Sequence, residues 1–195
     1  DRDLGASTFL VATGGVPDRP RIPGGELAIV SDQAFFLEEL PKRVAIIGGG
    51  YIALEFAGIF HGLGIETHVL YRGELILRGF DSDLRRGLAS RLLDRGIDLR
   101  CECRVAAIVQ SAESQCLQLE DGSEIDVDLA LAAIGRSPNT GDLGLVEAGV
   151  DVDAEGSIAV DEHSRTSQPS ISAVGDCPNR MNLTPVAIAE AMAMV

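Results

Sequence analysis

The chain has 195 residues, 46% of them hydrophobic, so it can bury a full core and is neither disordered nor a disulfide-stapled scaffold. Sixteen basic against thirty acidic residues leave a net charge of −14, the opposite of the basic footprint a nucleic-acid binder needs. Apolar runs such as Val44–Ile47 fall far short of the roughly 20 residues of a membrane span, and the charged opening Asp1-Arg2-Asp3 is no secretory signal. A soluble, cytoplasmic protein is expected.

In chain order, residues 8–12 predict a short buried strand that stops at Thr13-Gly14-Gly15. Pro17, Pro20 and Pro23 then hold an extended connection. A short helix is expected over 33–39, stopped by Pro41. Arg43 to Ile47 is an apolar strand broken by Gly48-Gly49-Gly50, and Tyr51 to Leu63 is a helix capped by Gly64. Thr67 to Tyr71 is a second strand. Ser82 to Arg95 is a second amphipathic helix, with Ser82 as its cap and Gly96 closing it. Ile97 to Cys101 is a third strand, and the alternation implies a parallel sheet with right-handed crossovers.

The pattern then changes. Residues 104–109 and 116–120 read as strands, and Asp121-Gly122 turns the chain into Glu124–Val127 as an antiparallel meander. A strand over Leu129–Ile134 returns to the parallel sheet, and Gly135 to Asn139 closes the domain. Residues 140–195 are loop-rich, with strands at 158–160 and 171–174 and a last helix from about Pro185. That helix runs to the chain end, as if cut from a longer protein. Thr184 suits an N-cap and Pro185 the first helical position. The cysteines at 101, 103, 116 and 177 form no C-x-x-C or C-x-x-x-x-C pair, and a metal site is not expected from them. In a strand, Cys101 and Cys103 would share a face. Ordinary reduced thiols fit a reducing compartment.

The sharpest motif is Gly48-x-Gly50-x-x-Ala53 between a strand and a helix. The first glycine permits the tight turn, and the second lets backbone approach a pyrophosphate. The small third residue allows close helix–strand packing. The helix start offers free N–H groups and partial positive charge to phosphate. A dinucleotide site is implied; a tight turn without ligand is the plainer alternative. An NAD site would place a carboxylate at the end of the second strand, where Tyr71-Arg72-Gly73 stands instead. Arg72 and Arg78 could fork onto a 2′-phosphate, or be solvated surface arginines.

These residues carry a resemblance. Gly48 to Glu55 and the string from Tyr71 to Asp81 resemble the NADPH-binding segment of the glutathione reductases, in the flavin-dependent pyridine nucleotide–disulfide oxidoreductase family. Ala133-Ile134-Gly135-Arg136-x-Pro138-Asn139, Ala173-Val174-Gly175-Asp176 and Asn182-Leu183-Thr184-Pro185-Val186-Ala187 resemble its later signatures. The resemblance covers essentially the whole chain. It implies an α/β fold: a Rossmann-like NADPH-binding domain with parallel sheet and β-meander at 15–137, plus an incomplete FAD-domain segment at 1–14 and 138–195.

The resemblance also implies residue roles. Gly48, Gly50, Ile52 and Ala53 would line the dinucleotide site, and Arg72 and Arg78 its 2′-phosphate. Tyr51 would lie over the flavin when nicotinamide is absent, with Glu55 near the carboxamide; both also read as plain first-turn helix residues. Thr13 and Gly14 would mark the crossing from the FAD domain, and Gly135 and Arg136 the return. Asp176 would accept from the FAD ribityl chain, and Leu183 and Thr184 would meet the flavin's pyrimidine edge. The expected cofactors are NADPH and FAD, and the parent's expected substrate is glutathione disulfide, reduced by a homodimer. No nucleic acid, membrane or metal partner is expected. The family's redox cysteine pair is missing here, so the fragment alone is expected to be inactive. A trypanothione, mercuric or lipoamide type reductase, or a non-catalytic NADPH-binding module, stays open.

Overall fold

In the computed structural model, residues 5–194 are described, and the charged Asp1-Arg2-Asp3 opening lies outside them. The strands and helices begin with β1 (Phe9–Val11), β2 (Gly15–Pro17), β3 (Ile29–Val30), α1 (Ser31–Ala34), β4 (Arg43–Ile47) and α2 (Tyr51–Gly62). Next come β5 (Glu66–Leu70), α3 (Ser82–Asp94), β6 (Asp98–Arg100), β7 (Val105–Gln110), β8 (Gln115–Leu119) and β9 (Glu124–Val127). The last are β10 (Leu129–Ala132), β11 (Arg136–Pro138), β12 (Ile171–Ala173) and α4 (Thr184–Ala193). Two units divide the chain: Pro17–Gly135, and the segments up to Val16 and from Arg136 onward.

In the first of these, a five-stranded sheet runs β3-β10-β4-β5-β6 with every pair parallel. Its central strand β4 is covered on both faces. That is why Val44, Ala45 and Ile46 form an unbroken apolar run rather than an alternating one. On one face, α2 buries Ala53, Leu54, Phe56, Ala57 and Phe60, joined by Leu92 of α3. Both helices stop by the same device. After α2, Gly64 donates to the His61 carbonyl and Ile65 to that of Phe60; after α3, Gly96 donates to Leu93 and Ile97 to Leu92. Gly64 and Gly96 take the left-handed conformation this closure requires, with φ of 82° and 92°. Each following isoleucine is buried, so helix end and strand start are one packed corner.

The other face carries the antiparallel meander β7-β8-β9. Its polar fastening is Gln115: the buried amide donates to the Leu27 carbonyl at 3.1 Å and accepts from the Ala130 N–H at 2.7 Å.

In the second unit, β1 pairs in parallel with β12, and Leu145, Val150, Ile158, Ala173 and Cys177 form a small core. β2 and β11 form a two-stranded ribbon.

Several expectations need correction. The helix expected over 33–39 is one turn, Ser31–Ala34; Phe35 and Phe36 are weak helix formers, and Pro41 disfavours helix at the residue before it. Asp81, not Ser82, caps α3, accepting from the N–H groups of Asp83 and Leu84. The α4 cap is Leu183, with Thr184 already inside the helix and Pro185 in its first turn. Residues 158–160 are not a strand: only Ile158 bridges, to Val152. Asp153 turns the chain there by accepting from Glu155 and Ser157 N–H groups. Cys101 and Cys103 lie past the end of β6, with Glu102 between them at φ 52°, so no strand face is shared.

Candidate functional site

At the turn after β4, the three glycines face three different surroundings. A Cβ on Gly48 would fall under 3.0 Å from the Ala133 carbonyl, and its φ of 142° is open only to glycine. A Cβ on Gly49 would strike the ring of Tyr71. A Cβ on Gly50 would meet nothing within 4 Å beyond its own helix and chain neighbours, and its backbone is ordinary extended chain. Neither crowding nor strain explains that glycine, which leaves room for a bound group. Gly50 is also the N-cap of α2 and supplies no side-chain cap. The first N–H groups of a helix have no intrahelical acceptor, and here no side chain substitutes. Ala53 is fully buried below the turn. Ile52 is half-buried, while Tyr51 and Glu55, one helical turn apart, share an exposed face.

The segment from Tyr71 to Phe80 has no regular structure, yet it is held at many points. Ile76 is fully buried, and the Leu77 N–H donates to the Gly49 carbonyl at 2.7 Å. Glu102 and Cys103 donate to the carbonyls of Gly73 and Tyr71. From α3, Arg85 donates through Nε to the Ile76 carbonyl at 2.7 Å and through Nη2 to that of Leu75 at 2.6 Å. Arg85 was not singled out by sequence: an arginine in an exposed helical stretch gives no signal that its partners are loop carbonyls. Tyr71, at the place of an NAD-type acid, sits with its ring between Gly49 and Gly73. Arg72 and Arg78 are exposed and make no hydrogen bond or ion pair among the described residues. Beneath the loop, burial pushes the Cys101 thiol above its ordinary value. Gly135, at φ 153°, borders the Asp18 side chain.

The remaining expected residues lie in the second unit. Thr13 donates to the Asn139 carbonyl at 2.6 Å, and Gly14, in a left-handed conformation, accepts from the Asn139 N–H. Arg136 donates to the Gly15 carbonyl, and its Nε is 3.9 Å from the Asp176 carboxylate. Leu183 and Thr184 are exposed at the start of α4. Glu190 also escaped the sequence reading. Its carboxylate accepts from the Gly175 N–H and from Arg180, both at 2.8 Å, holding the turn that presents Asp176. A lone acid in an otherwise apolar helix was the available signal.

Among the described residues no group of three or more His, Cys, Asp or Glu side chains is placed to hold a metal ion. Among them too, no helix is long and apolar enough to cross a membrane.

Known proteins are similar to this chain. The chain is 51% identical over 187 residues to a glutathione reductase of Burkholderia cepacia, covering 96% of this chain and 42% of that enzyme. It is 50% identical to a chloroplastic/mitochondrial glutathione reductase of Pisum sativum, covering 97% and 34%. To a trypanothione reductase of Trypanosoma congolense the identity is 44%, covering 98% and 40%. The chain thus spans less than half the length of these curated relatives. Among solved structures, the HOCl-induced flavoprotein disulfide reductase RclA of Escherichia coli superposes with a TM-score of 0.90 at 30% identity, over 95% of this chain and 43% of that one. LpdA of Mycobacterium tuberculosis does so at 0.84 and 30%, over 96% and 41%. A family model described as pyridine nucleotide-disulphide oxidoreductase matches residues 1–191, and with nearly its whole length accounted for the chain belongs to that family.

Proposed function

We propose that residues 15–137 form the NADPH-binding domain of a flavoprotein disulfide reductase acting on glutathione disulfide. Residues 1–14 and 138–195 would then be parts of its FAD domain. One observation carries the nucleotide assignment: the open space at Gly50 lies at a helix start whose turn is bonded to the loop bearing Arg72 and Arg78. The first-turn N–H groups of α2 hold the pyrophosphate, with Gly48, Gly50, Ile52 and Ala53 shaping the approach. Arg72 and Arg78 hold the 2′-phosphate. Tyr51 and Glu55 lie on the nicotinamide side, and Gly135 borders the same domain. Asp176, Leu183 and Thr184 serve FAD, while Thr13 and Gly14 mark the crossing out of its domain and Arg136 the chain's return to it. When bound, NADPH supplies a hydride and FAD relays the electron pair to a disulfide.

Glutathione disulfide is favoured as the parent's substrate because glutathione reductases match at 51%, 50% and 45% identity, against 44% for the trypanothione enzyme. Trypanothione disulfide is the second candidate, and steady-state rates of the whole-length enzyme with each disulfide separate them. Homodimer assembly of that enzyme is part of the same proposal.

The cofactor assignment is tested by calorimetric titration of NADPH and NADH into wild type and Arg72→Gln/Arg78→Gln. Hydrogen bonds to a charged group contribute about 1.5–3 kcal/mol each. Two exposed arginines, discounted for solvent screening, give about 3 kcal/mol in total, or about 100-fold preference for NADPH. The double variant should lose most of that preference by weakening NADPH alone. Equal affinities in the wild type would retire the assignment.

A further inference from the structure

Arg72 and Arg78 lie six positions apart on a segment without regular structure, so their spacing is no property of a helix or strand. Something else must fix where the backbone presents the two arginines. Leu77, directly before Arg78, occupies the left-handed region at φ 53°, which is uncommon for a residue with a side chain. Two bonded partners hold the segment here. The Gly49 carbonyl takes the Leu77 N–H, and Arg85 takes the carbonyls of Leu75 and Ile76 with two donors of one planar group. A guanidinium fork fixes distance and angle together, whereas a lysine offers only a point charge. The two carbonyls belong to residues that lie between Arg72 and Arg78 in the chain. Because its Nε and Nη2 are already committed, Arg85 serves the loop through those atoms.

We infer that Arg85 is the positioning residue that sets the site's preference for a 2′-phosphate, an assignment that rests on the NADPH proposal above. It acts by holding Arg72 and Arg78 at a fixed separation before the nucleotide arrives, so little order remains to be imposed on binding. A nucleotide lacking the 2′-phosphate makes no use of that spacing. Loss of Arg85 therefore weakens NADPH and spares NADH, whereas a residue that only supported the fold would weaken both.

The neighbouring Arg86 supplies a control. It is exposed and reaches only Asp83, at 3.5 Å, so Arg86→Gln removes the same charge without touching the loop. NADPH and NADH are titrated into wild type, Arg85→Gln, Arg85→Lys, Arg86→Gln, and Arg85→Gln combined with Arg72→Gln/Arg78→Gln. Thermal melts are recorded for each. In Arg85→Gln, NADPH affinity should fall about tenfold, the size of one lost charge-assisted contact, with NADH unchanged. Arg85→Lys should fall between that variant and wild type, and Arg86→Gln should match wild type. In the Arg72/Arg78 background, Arg85→Gln should change nothing further.

An unchanged preference in Arg85→Gln, a parallel loss of both nucleotides, or an equal loss in Arg86→Gln would each overturn the assignment while leaving the NADPH site standing. Absence of any preference in wild type would remove the NADPH site and the role of Arg85 together. If neither Arg85 variant folds, Arg85 belongs to the fold rather than to specificity.

Discussion

The ring of Tyr71 lies against the bare backbone of Gly49, so close that a Cβ there would fall under 3.0 Å from three ring carbons. The end of β5 and the turn after β4 are therefore shaped to each other. Gly49→Ala should overpack this contact and cost about 1–3 kcal/mol in urea denaturation. Tyr71→Ala in the same chain should recover part of that loss. Strictly additive effects of the two substitutions would show that the ring and the turn do not communicate.

Gly48 and Gly50 should respond in opposite ways to the same methyl group. At Gly48, alanine meets the Ala133 carbonyl in a conformation forbidden to it, and stability should fall by about 3 kcal/mol or more. At Gly50 the space is open and the backbone permissive, so Gly50→Ala should stay within about 1 kcal/mol of wild type. Its loss should appear instead in nucleotide affinity, by about tenfold or more. Melting curves and titrations of both variants check this together; a Gly50→Ala variant that binds normally would place the pyrophosphate elsewhere.

Asp81 and Ser82 are both good cap formers, and only the former is used. Asp81→Ala should destabilise by about 1 kcal/mol, and Ser82→Ala by a few tenths at most. Denaturation midpoints of the two variants decide; equal losses would mean that the cap is shared.

Asp128 closes the start of β4 by accepting from the Lys42 and Arg43 N–H groups and from the Arg43 guanidinium, the last at 2.7 Å. The Arg43 hydrogen bond, foremost, holds its carboxyl below the ordinary value. A group lowered in the folded state stabilises the fold above its unfolded value, about 3.9, and loses that contribution as pH falls through the folded one. Wild type should therefore exceed Asp128→Asn by a constant margin from neutral pH to about pH 5, narrowing below about pH 4. Denaturation midpoints measured across that range test it. A margin still intact in strong acid would mean that the ion pair is not its source.

The parallel sheet and meander were legible because each carries its own punctuation. Val44 to Ile47 is apolar on both faces, Gly64 and Gly96 stop their helices, and Asp121-Gly122 announces its hairpin. The glycine turn was legible for the same reason, since backbone shape demands a residue type. Arg85 and Glu190 were not, because Arg85 bonds only main-chain carbonyls of an irregular loop and Glu190 pairs a main-chain N–H with the Arg180 side chain across a turn. Any carbonyl or N–H looks alike until the fold brings one within reach. The choice between Asp81 and Ser82 likewise turns on which residue adopts extended backbone, and spacing does not decide that.

The buried Gln115 amide sits between two largely apolar layers. Aliphatic surfaces alone tolerate sliding, since one methyl group meets another almost as well as its neighbour. A carboxamide that must meet one N–H and one carbonyl does not. Displacing β8 by one residue along the sheet would turn its alternate side chains outward and strand the Ala130 N–H without an acceptor. Gln115 thus works as an alignment key. It lets the three meander strands, whose mutual pairing is wholly local, recognise a single landing position between β10, which follows them directly, and the Leu27 carbonyl far back in the chain.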